Sequence, residues 1–191
     1  MKNIVYSFIL SLFICFVAQG YATKTQNELS DNVVRLHIIA NSNTPEDQKL
    51  KYKVRDNIIK NVSISDENFL TQCKQIANQT IISDKYSAVV EYGNYYFPVK
   101  KYKNITMPCG NYNAVRVILG EGRGENWWCV LYPPMCLENN NVTMDKYSIE
   151  QLKRLLSSDS YDLITEKNSK VQIKFKTIEI INELMNLIDN L

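Results

Sequence analysis

Histidine is almost absent from this 191-residue sequence, and its scarcity limits the chemistry available to the chain. The one histidine, His37, stands among the apolar residues Leu36, Ile38 and Ile39. Structural zinc sites usually combine histidines with Cys-x-x-Cys pairs, and no such pair occurs. A Ser-His-acid or Cys-His set would have to use His37, whose apolar strand-like setting is more typical of a structural histidine. The sequence therefore predicts no metal site, no cofactor and no enzyme.

A strong net charge is also lacking. The chain has 22 lysines and arginines against 20 aspartates and glutamates, giving a net charge of +2. Proteins that bind nucleic acids concentrate positive charge against the phosphates. Gly120, Gly122 and Gly124 do not have the spacing of a nucleotide-binding loop, and the residues after them indicate a strand rather than a helix. We expect no nucleic-acid partner.

Long apolar runs are missing except at the N-terminus. Ile4 to Ala18 forms a run of fifteen residues broken only by two serines, with Lys2 before it. This pattern is typical of a secretory signal and is short for a membrane span. Small residues predict cleavage after Gly20 or Ala22; an uncleaved anchor is the alternative. We expect a signal peptide at 1–22, a loose tether at 23–30 and one domain at 31–191, with membrane contact only during export.

Cysteine is sparse, but its count is even beyond the signal segment. An even number in an exported chain permits disulfides. Cys129 and Cys136 flank Pro133-Pro134, which redirects the chain, so this pair is the first disulfide candidate. Four buried thiols are the alternative. The four residues are Cys73, Cys109, Cys129 and Cys136.

The first half of the exported region contains clear local signals. Val33 to Ala40 is rich in branched apolar residues and predicts a strand. Thr44-Pro45-Glu46-Asp47 has a capping residue, an early proline and early acids, and predicts the start of a helix. A second helix is expected from Ser65 or Asp66 to about Gln79.

The second half predicts strands. Gly93-Asn94 lies between two strand-like segments and predicts a hairpin turn. Ala114–Leu119 and Trp127–Tyr132 are expected to pair through the glycine loop. A short helix near Leu152, a strand at 171–175 and a helix at 178–188 complete the order β-α-α-β-β-β-β-α-β-α. This order favours a single compact α+β domain with a mostly antiparallel sheet covered by helices.

Residues 120–136 are the most unusual stretch, because they hold both tryptophans and three of the six glycines. Successive strand side chains point to opposite faces, so Trp127 and Trp128 need contacts on both sides of the sheet. Large aromatic residues are also favoured anchors of binding surfaces. A fully buried central strand is the alternative interpretation.

The junction between the first strand and the first helix is a second candidate site. Arg35 lies within an apolar strand and needs an acid or a carbonyl for its guanidinium. The alternative to a contact site is a buried structural pair between this strand and the following helix. On that helix, Arg55 and Asp56 are neighbours in sequence, so we expect them to point in different directions and not to pair.

Three blocks together resemble the stage II sporulation protein R family of spore-forming Firmicutes. The closing residues 174–179 look similar as well, and the Trp-Trp block is the most specific of the motifs. The three blocks are residues 34–56, residues 108–117 and residues 120–136.

The resemblance implies a signal rather than a catalyst. Members of this family are made in the forespore and exported across its membrane into the intermembrane space. There they are needed to activate a membrane-embedded aspartic protease of the mother cell, which processes the pro-sigma-E precursor. The alternative is a secreted cell-wall hydrolase that uses carboxylates near the glycine loop. Our contact candidates are Arg35, His37, Asn41, Gly120, Glu121, Gly122, Asn126, Trp127 and Trp128.

Overall fold

Five helices and six strands make up the part of the chain that the computed structural model describes, which is residues 2–81, 86–102, 104–135 and 146–165. The strand expected at 171–175 and the helix expected at 178–188 lie outside these ranges. In chain order the elements are α1 (Lys2–Asn32), β1 (Val34–Ile39), α2 (Pro45–Asn61), α3 (Phe69–Thr80), β2 (Ala88–Phe97), β3 (Lys100–Tyr102), β4 (Ile105–Met107), β5 (Gly110–Leu119), β6 (Asn126–Tyr132), α4 (Lys146–Leu155) and α5 (Ser158–Ile164).

The main sheet has four strands in the order β2-β5-β1-β6. β5 is antiparallel to β2 and parallel to β1, and β1 is antiparallel to β6. Helices α2 and α3 pack on one face, and their apolar residues join those of β1 and β5 in one core. The α+β class with a mostly antiparallel sheet is confirmed.

The helix that follows β1, α2, begins where its capping residues predict. The Thr44 side chain accepts a hydrogen bond from the Asp47 N–H at 3.4 Å, and Pro45 opens the first turn. Val54 and Ile58 are fully buried on the side that faces the core. The following helix, α3, begins at Phe69 rather than at Ser65 or Asp66. The Asp66 carboxylate accepts the Asn68 N–H at 2.9 Å, and such a local side-chain bond competes with helix formation.

The prediction of a hairpin turn at Gly93-Asn94 is wrong. β2 runs without a turn through both residues and pairs with β5 over its whole length, with Gly93 opposite Ala114. A Cβ on Gly93 would lie 3.2 Å from the hydroxyl oxygen of Tyr95, so glycine makes room for that ring. The chain leaves the strand at Pro98, and the next two short strands, β3 and β4, form a separate antiparallel pair.

The prediction that the strands on either side of the glycine loop pair with each other is also wrong. β5 and β6 are not neighbours, because β1 lies between them and pairs with both. The glycine loop therefore crosses the end of β1 instead of closing a hairpin. A loop sequence shows that the chain turns, but it does not show whether another strand occupies the gap.

The loose tether expected at 23–30 is instead part of a helix, since α1 continues to Asn32. Leu29 is fully buried and Thr25 is 1% exposed. The polar residues of this stretch bond to the domain: Gln26 Nε2 donates to the Asn111 carbonyl at 3.2 Å, and Ser160 donates to the Glu28 carboxylate at 2.5 Å. The polar residues 23–30 therefore belong to a helix that packs on the domain.

The first half of α1 differs from the second, because its large apolar side chains are exposed. The values range from 54% for Val17 to 77% for Phe16. Within the described residues, no helix meets the length and apolarity needed to cross a membrane.

Candidate functional site

One face of the sheet is buried at one end and partly exposed at the other. Tyr92 contacts Phe69 of α3, and Trp127 contacts Tyr52 of α2, so the alternate positions of β2 and β6 point away from these helices. We call the partly exposed part of that second face the exposed sheet end. It comprises two adjacent rows across β2, β5, β1 and β6: Val89, Ile118, Ile39 and Asn126, and then Glu91, Arg116, His37 and Trp128.

His37 and Trp128 form the centre of the exposed sheet end. Their rings stack at 3.6 Å between centroids with an interplanar angle of 14°. His37 Nε2 lies 2.7 Å from Asn126 Oδ1. Burial lowers the pKa of His37 to about 4, and the nearby Arg116 charge lowers it as well. The imidazole is therefore neutral at pH 7, and it is bonded to an amide rather than to an acid, an arrangement that gives no support to a catalytic base.

Glu91 and Arg116 form an ion pair beside this stack. Arg116 Nη2 lies 2.6 Å from Glu91 Oε2, and the guanidinium sits 4.3 Å from the centroid of the Tyr95 ring. Hydrogen bonding from Arg116 lowers the pKa of Glu91. Tyr95 reaches these groups by leaning across Gly93, which explains a glycine in the middle of a strand. The two charges neutralise each other at the surface.

Trp127 lies on the opposite face, as the alternation predicts. Its ring meets Tyr52 edge-on at 5.4 Å, and the Arg55 guanidinium lies 4.6 Å from its centroid. Arg55 also pairs with Asp56 at 2.6 Å, so the expectation that these neighbours do not pair is wrong. The long arginine side chain, held under the aromatic rings, reaches the adjacent carboxylate without needing a helical turn between them.

The alternative of a fully buried central strand is wrong as well. Among the described strands, β6 lies at one end of the sheet, and both tryptophans are half-buried.

Arg35 is completely buried in the row next to the exposed sheet end. Its Nε donates to the Cys129 carbonyl at 3.0 Å, and its Nη2 donates to the Tyr102 hydroxyl at 3.2 Å. The guanidinium also lies 4.4 Å from the Phe97 centroid and 4.9 Å from that of Tyr112. The expected carbonyl partner is present, whereas the pair with α2 is not. A side chain without exposed area supports the surface from within and does not contact a partner.

The glycine loop is fastened to the end of β1. Asn41 Oδ1 accepts the Glu121 N–H at 3.0 Å, and the Gly124 N–H donates to the Ala40 carbonyl at 2.8 Å. Gly120 has a φ of 56°, and a Cβ there would collide with the Asn41 side chain. Gly122, at a φ of 63°, lies so close to Ile118 that a Cβ would come within 2.7 Å of it. Asn41, Gly120 and Gly122 therefore shape the loop.

The remaining loop candidate, Glu121, is exposed and pairs with Arg123 at 3.2 Å. A further acid, Asp47, ties the loop region to the start of α2. Its carboxylate accepts hydrogen bonds from Ser42 at 2.6 Å and Tyr86 at 2.7 Å. These bonds, that of Ser42 above all, lower the pKa of Asp47. Glu121 and Asp47 are thus both engaged in structural contacts.

Sequence reasoning missed Glu91, Tyr95 and Val89 as parts of the site. They come from β2, which no motif connected with the tryptophans and which the expected hairpin would have broken at Gly93. Arg116 lay in a block already singled out for its resemblance, and an arginine between Val115 and Val117 in a strand could have been recognised as needing a partner.

The cysteines and acids of the described ranges give no metal site, since no group of three or more potential ligands comes together there. Cys129 is buried and disulfide-bonded, whereas Cys73 and Cys109 are buried and not disulfide-bonded. Burial raises the pKa of Cys73 to about 11. Cys136 lies outside the described residues, so its pairing with Cys129 stays a prediction.

The region from the end of α1 through the glycine loop also matches a known family. A family model described as stage II sporulation protein R matches residues 30–142, which is more than half of the chain. The chain belongs to the stage II sporulation protein R family. A curated relative, the stage II sporulation protein R of Bacillus subtilis (strain 168), is 28% identical over 216 aligned positions that cover 95% of this chain and 96% of the relative. No solved structure matches. The family resemblance of the sequence blocks is confirmed.

Proposed function

We propose that this chain is a secreted intercompartmental signalling protein of endospore formation. In this role it activates a membrane-embedded aspartic protease of the mother cell, which then processes the pro-sigma-E precursor. The observation that carries the proposal is the family match over residues 30–142, which includes β1, the glycine loop and the tryptophan strand. The matched region also includes β2 and β5, so it holds all four strands of the exposed sheet end.

The N-terminal region supports export across the forespore membrane into the intermembrane space. Exposed apolar side chains surround the first half of α1, as expected for a segment that meets lipid during export. Cleavage after Gly20 or Ala22 would remove this half and leave the docked residues from Thr25 onward in place. The processed protein then has membrane contact only during export.

We further propose that the protein acts by binding and not by catalysis. The neutral, amide-bonded His37 and the arginine-paired Glu121 are poor candidates for proton transfer. A ligand shifts a two-state receptor only through its different affinity for the two states. Shifting a receptor from 1:99 to 99:1 requires a ratio of about 10⁴ in affinity, or about 5.5 kcal/mol. The cell-wall hydrolase gains no support from the structure.

Co-expression in a non-sporulating host tests this proposal. The chain is produced with the candidate receptor protease and the pro-sigma-E precursor, and precursor cleavage is measured. We expect cleavage only when all three are present. A variant lacking residues 2–22, which stays inside the producing compartment, is the matched control and should give none.

Two results would contradict the proposal. One is cleavage that does not depend on the chain or on its export segment. The other is turnover of peptidoglycan by the purified protein, lost in Glu121→Gln or Glu125→Gln, which would establish the hydrolase instead.

A further inference from the structure

The second face of the sheet changes from a dry interior to a surface within one row of residues. Next to the exposed sheet end lies the row Gly93, Ala114, Arg35 and Val130, of which the last three are completely buried. In the exposed rows, by contrast, Val89 is 48% exposed, and the side chains of Arg116 and Glu91 are 32% and 42% exposed. The covered end therefore extends as far as His37, which is 7% exposed, and Phe97, whose ring lies 4.8 Å from that of Trp128, and the surface begins beyond them.

The composition of the exposed sheet end is that of a contact surface. Tryptophan, tyrosine and arginine are enriched among residues that dominate binding energies, and here Trp128, Tyr95 and Arg116 stand together. Val89, Ile118 and Ile39 add an apolar row beside them. Lysine, which is depleted in the centres of interfaces, is absent from both rows.

The charges of this surface are satisfied before any partner arrives. Glu91 and Arg116 pair with each other at 2.6 Å, and the low pKa of His37 keeps its ring neutral. The remaining members of the two rows are uncharged, so the net charge of the surface is zero. A charged partner group would gain no unpaired counter-charge here and would have to give up its hydration. The surface therefore fits an uncharged partner, unlike an anionic lipid layer or a nucleic acid, both of which need excess positive charge.

Residues next to the exposed sheet end also hold this surface in a fixed conformation. Arg35 lies in the row next to the His37–Trp128 stack, where it bonds β1 to the Cys129 carbonyl of β6 and to the Tyr102 hydroxyl of β3. Gly122 packs against Ile118 at the upper row. Groups that are ordered before binding lose little conformational entropy when a partner arrives.

We infer that the exposed sheet end is the surface that engages the receptor protease, and that its occupant is an uncharged apolar or aromatic segment of the receptor's extracytoplasmic part. This inference rests on the proposed function and assigns the contact to one face of the domain. The glycine loop and Arg35 shape and support that face, while Trp128, Val89 and the Glu91–Arg116 pair meet the partner.

Introducing a charge of either sign at Val89 tests both the location of the contact and the chemistry of the occupant. Full-length chains carrying Val89→Glu or Val89→Lys are co-expressed with an affinity-tagged receptor protease and the precursor. Asn94→Glu and Asn94→Lys are the matched controls, because Asn94 is exposed on the same strand but points to the opposite face. The amount of chain retained on the receptor and the extent of precursor cleavage are measured, with thermal melting as the check on folding.

We expect both Val89 variants to weaken retention by at least about tenfold, which is about 1.4 kcal/mol, while both Asn94 variants stay within about twofold of the unmodified chain. Asn126→Ala, on the opposite strand of the same row, gives a second measurement should a Val89 variant melt early.

Several outcomes would overturn the inference. If the unmodified chain binds and all four charge variants bind equally well, the contact lies elsewhere, although the proposed function stands. If one sign of charge strengthens retention, the occupant is charged. If Val89→Glu removes binding to anionic vesicles or breaks a dimer of the chain, the surface serves lipid or a second copy. If the unmodified chain neither binds nor activates the receptor, the proposed function itself fails, and this assignment fails with it.

Discussion

The two tryptophans are adjacent in sequence but have opposite surroundings. Trp127 is covered by α2 through Tyr52 and Arg55. Trp128 stacks on His37 and meets the Phe97 ring edge-on at 4.8 Å, on the opposite face of the sheet. The comparison shows how one strand can contribute equally to a core and to a surface, because the alternation of side chains delivers the same residue type to two environments.

The largest effect is expected from replacing Arg35, which lies in the row next to Trp128. Arg35→Met deletes a buried guanidinium and leaves the Cys129 carbonyl and the Tyr102 hydroxyl without their donor. We expect the free energy of unfolding to fall by about 3 kcal/mol or more. Denaturant titration measures this change, with the exposed Arg123→Met as the control. An unchanged midpoint would show that the arginine is not needed to hold the tryptophan face.

The two tryptophans themselves should separate stability from binding. Trp127→Ala and Trp128→Ala each remove a half-buried ring, so each should lower the unfolding free energy by about 2–3 kcal/mol. Per folded molecule, Trp127→Ala should keep its affinity for the receptor, whereas Trp128→Ala should lose it. Denaturant titration and receptor retention measured on the same samples give both values. Equal loss of binding would remove the distinction between the faces.

Lowering the pH should reduce the free energy of unfolding through His37, which stacks on Trp128, before the carboxylates become protonated. The pKa of His37 is about 4 in the folded chain and 6.5 when unperturbed. Between these values the unfolded chain binds a proton that the folded chain does not, so stability falls as the pH drops from 6.5 towards 4 and is constant above 6.5. The loss should be about 2–3 kcal/mol.

His37→Gln should remove this dependence while the acids continue to titrate at lower pH. Unfolding free energies measured at half-unit steps between pH 4.5 and 7 are sufficient for the comparison. A His37→Gln variant with the same slope as the unmodified chain would assign the dependence to other groups.

The smallest effect is expected from the surface ion pair. Glu91→Gln and Arg116→Gln, alone and together, form a double-mutant cycle that isolates the interaction between the two side chains. Because both are partly exposed, the coupling should be below about 1 kcal/mol. Thermal melting at low and high salt measures it, and the coupling should shrink as salt is added. A large, salt-independent coupling would mean that the pair is part of the core rather than of the exposed sheet end.

Local chemistry was sufficient to predict some elements and insufficient for others. The strand of β1 and the capped start of α2 follow from residues within a few positions of each other. Gly93-Asn94 is an equally strong local signal, yet the pairing of β2 with β5 and the ring of Tyr95 override it. The insertion of β1 between β5 and β6 depends on contacts between distant segments, which no short motif encodes.

The site was predictable to a similar extent. The sequence correctly indicated that the tryptophans point to opposite faces and that Arg35 needs an acid or a carbonyl, of which the structure has the carbonyl. It could not show that aromatic rings surround Arg35, nor that Glu91 completes the surface, because both depend on which strands become neighbours. Residues 23–30 illustrate the same limit, since their bonding partners lie more than eighty positions away.

The second half of α1 packs on the domain, and this packing limits where the chain could be cut without loss of buried residues. After a cut behind Ala22, only Thr23 and Lys24 would precede the buried Thr25. The new amino terminus would then be a short stub fixed to the body of the molecule, roughly 3 Å along the helix from its first anchored residue. Trimming by a few more residues would remove buried positions of the domain, so the place of any cut would determine whether the remaining domain can hold its shape.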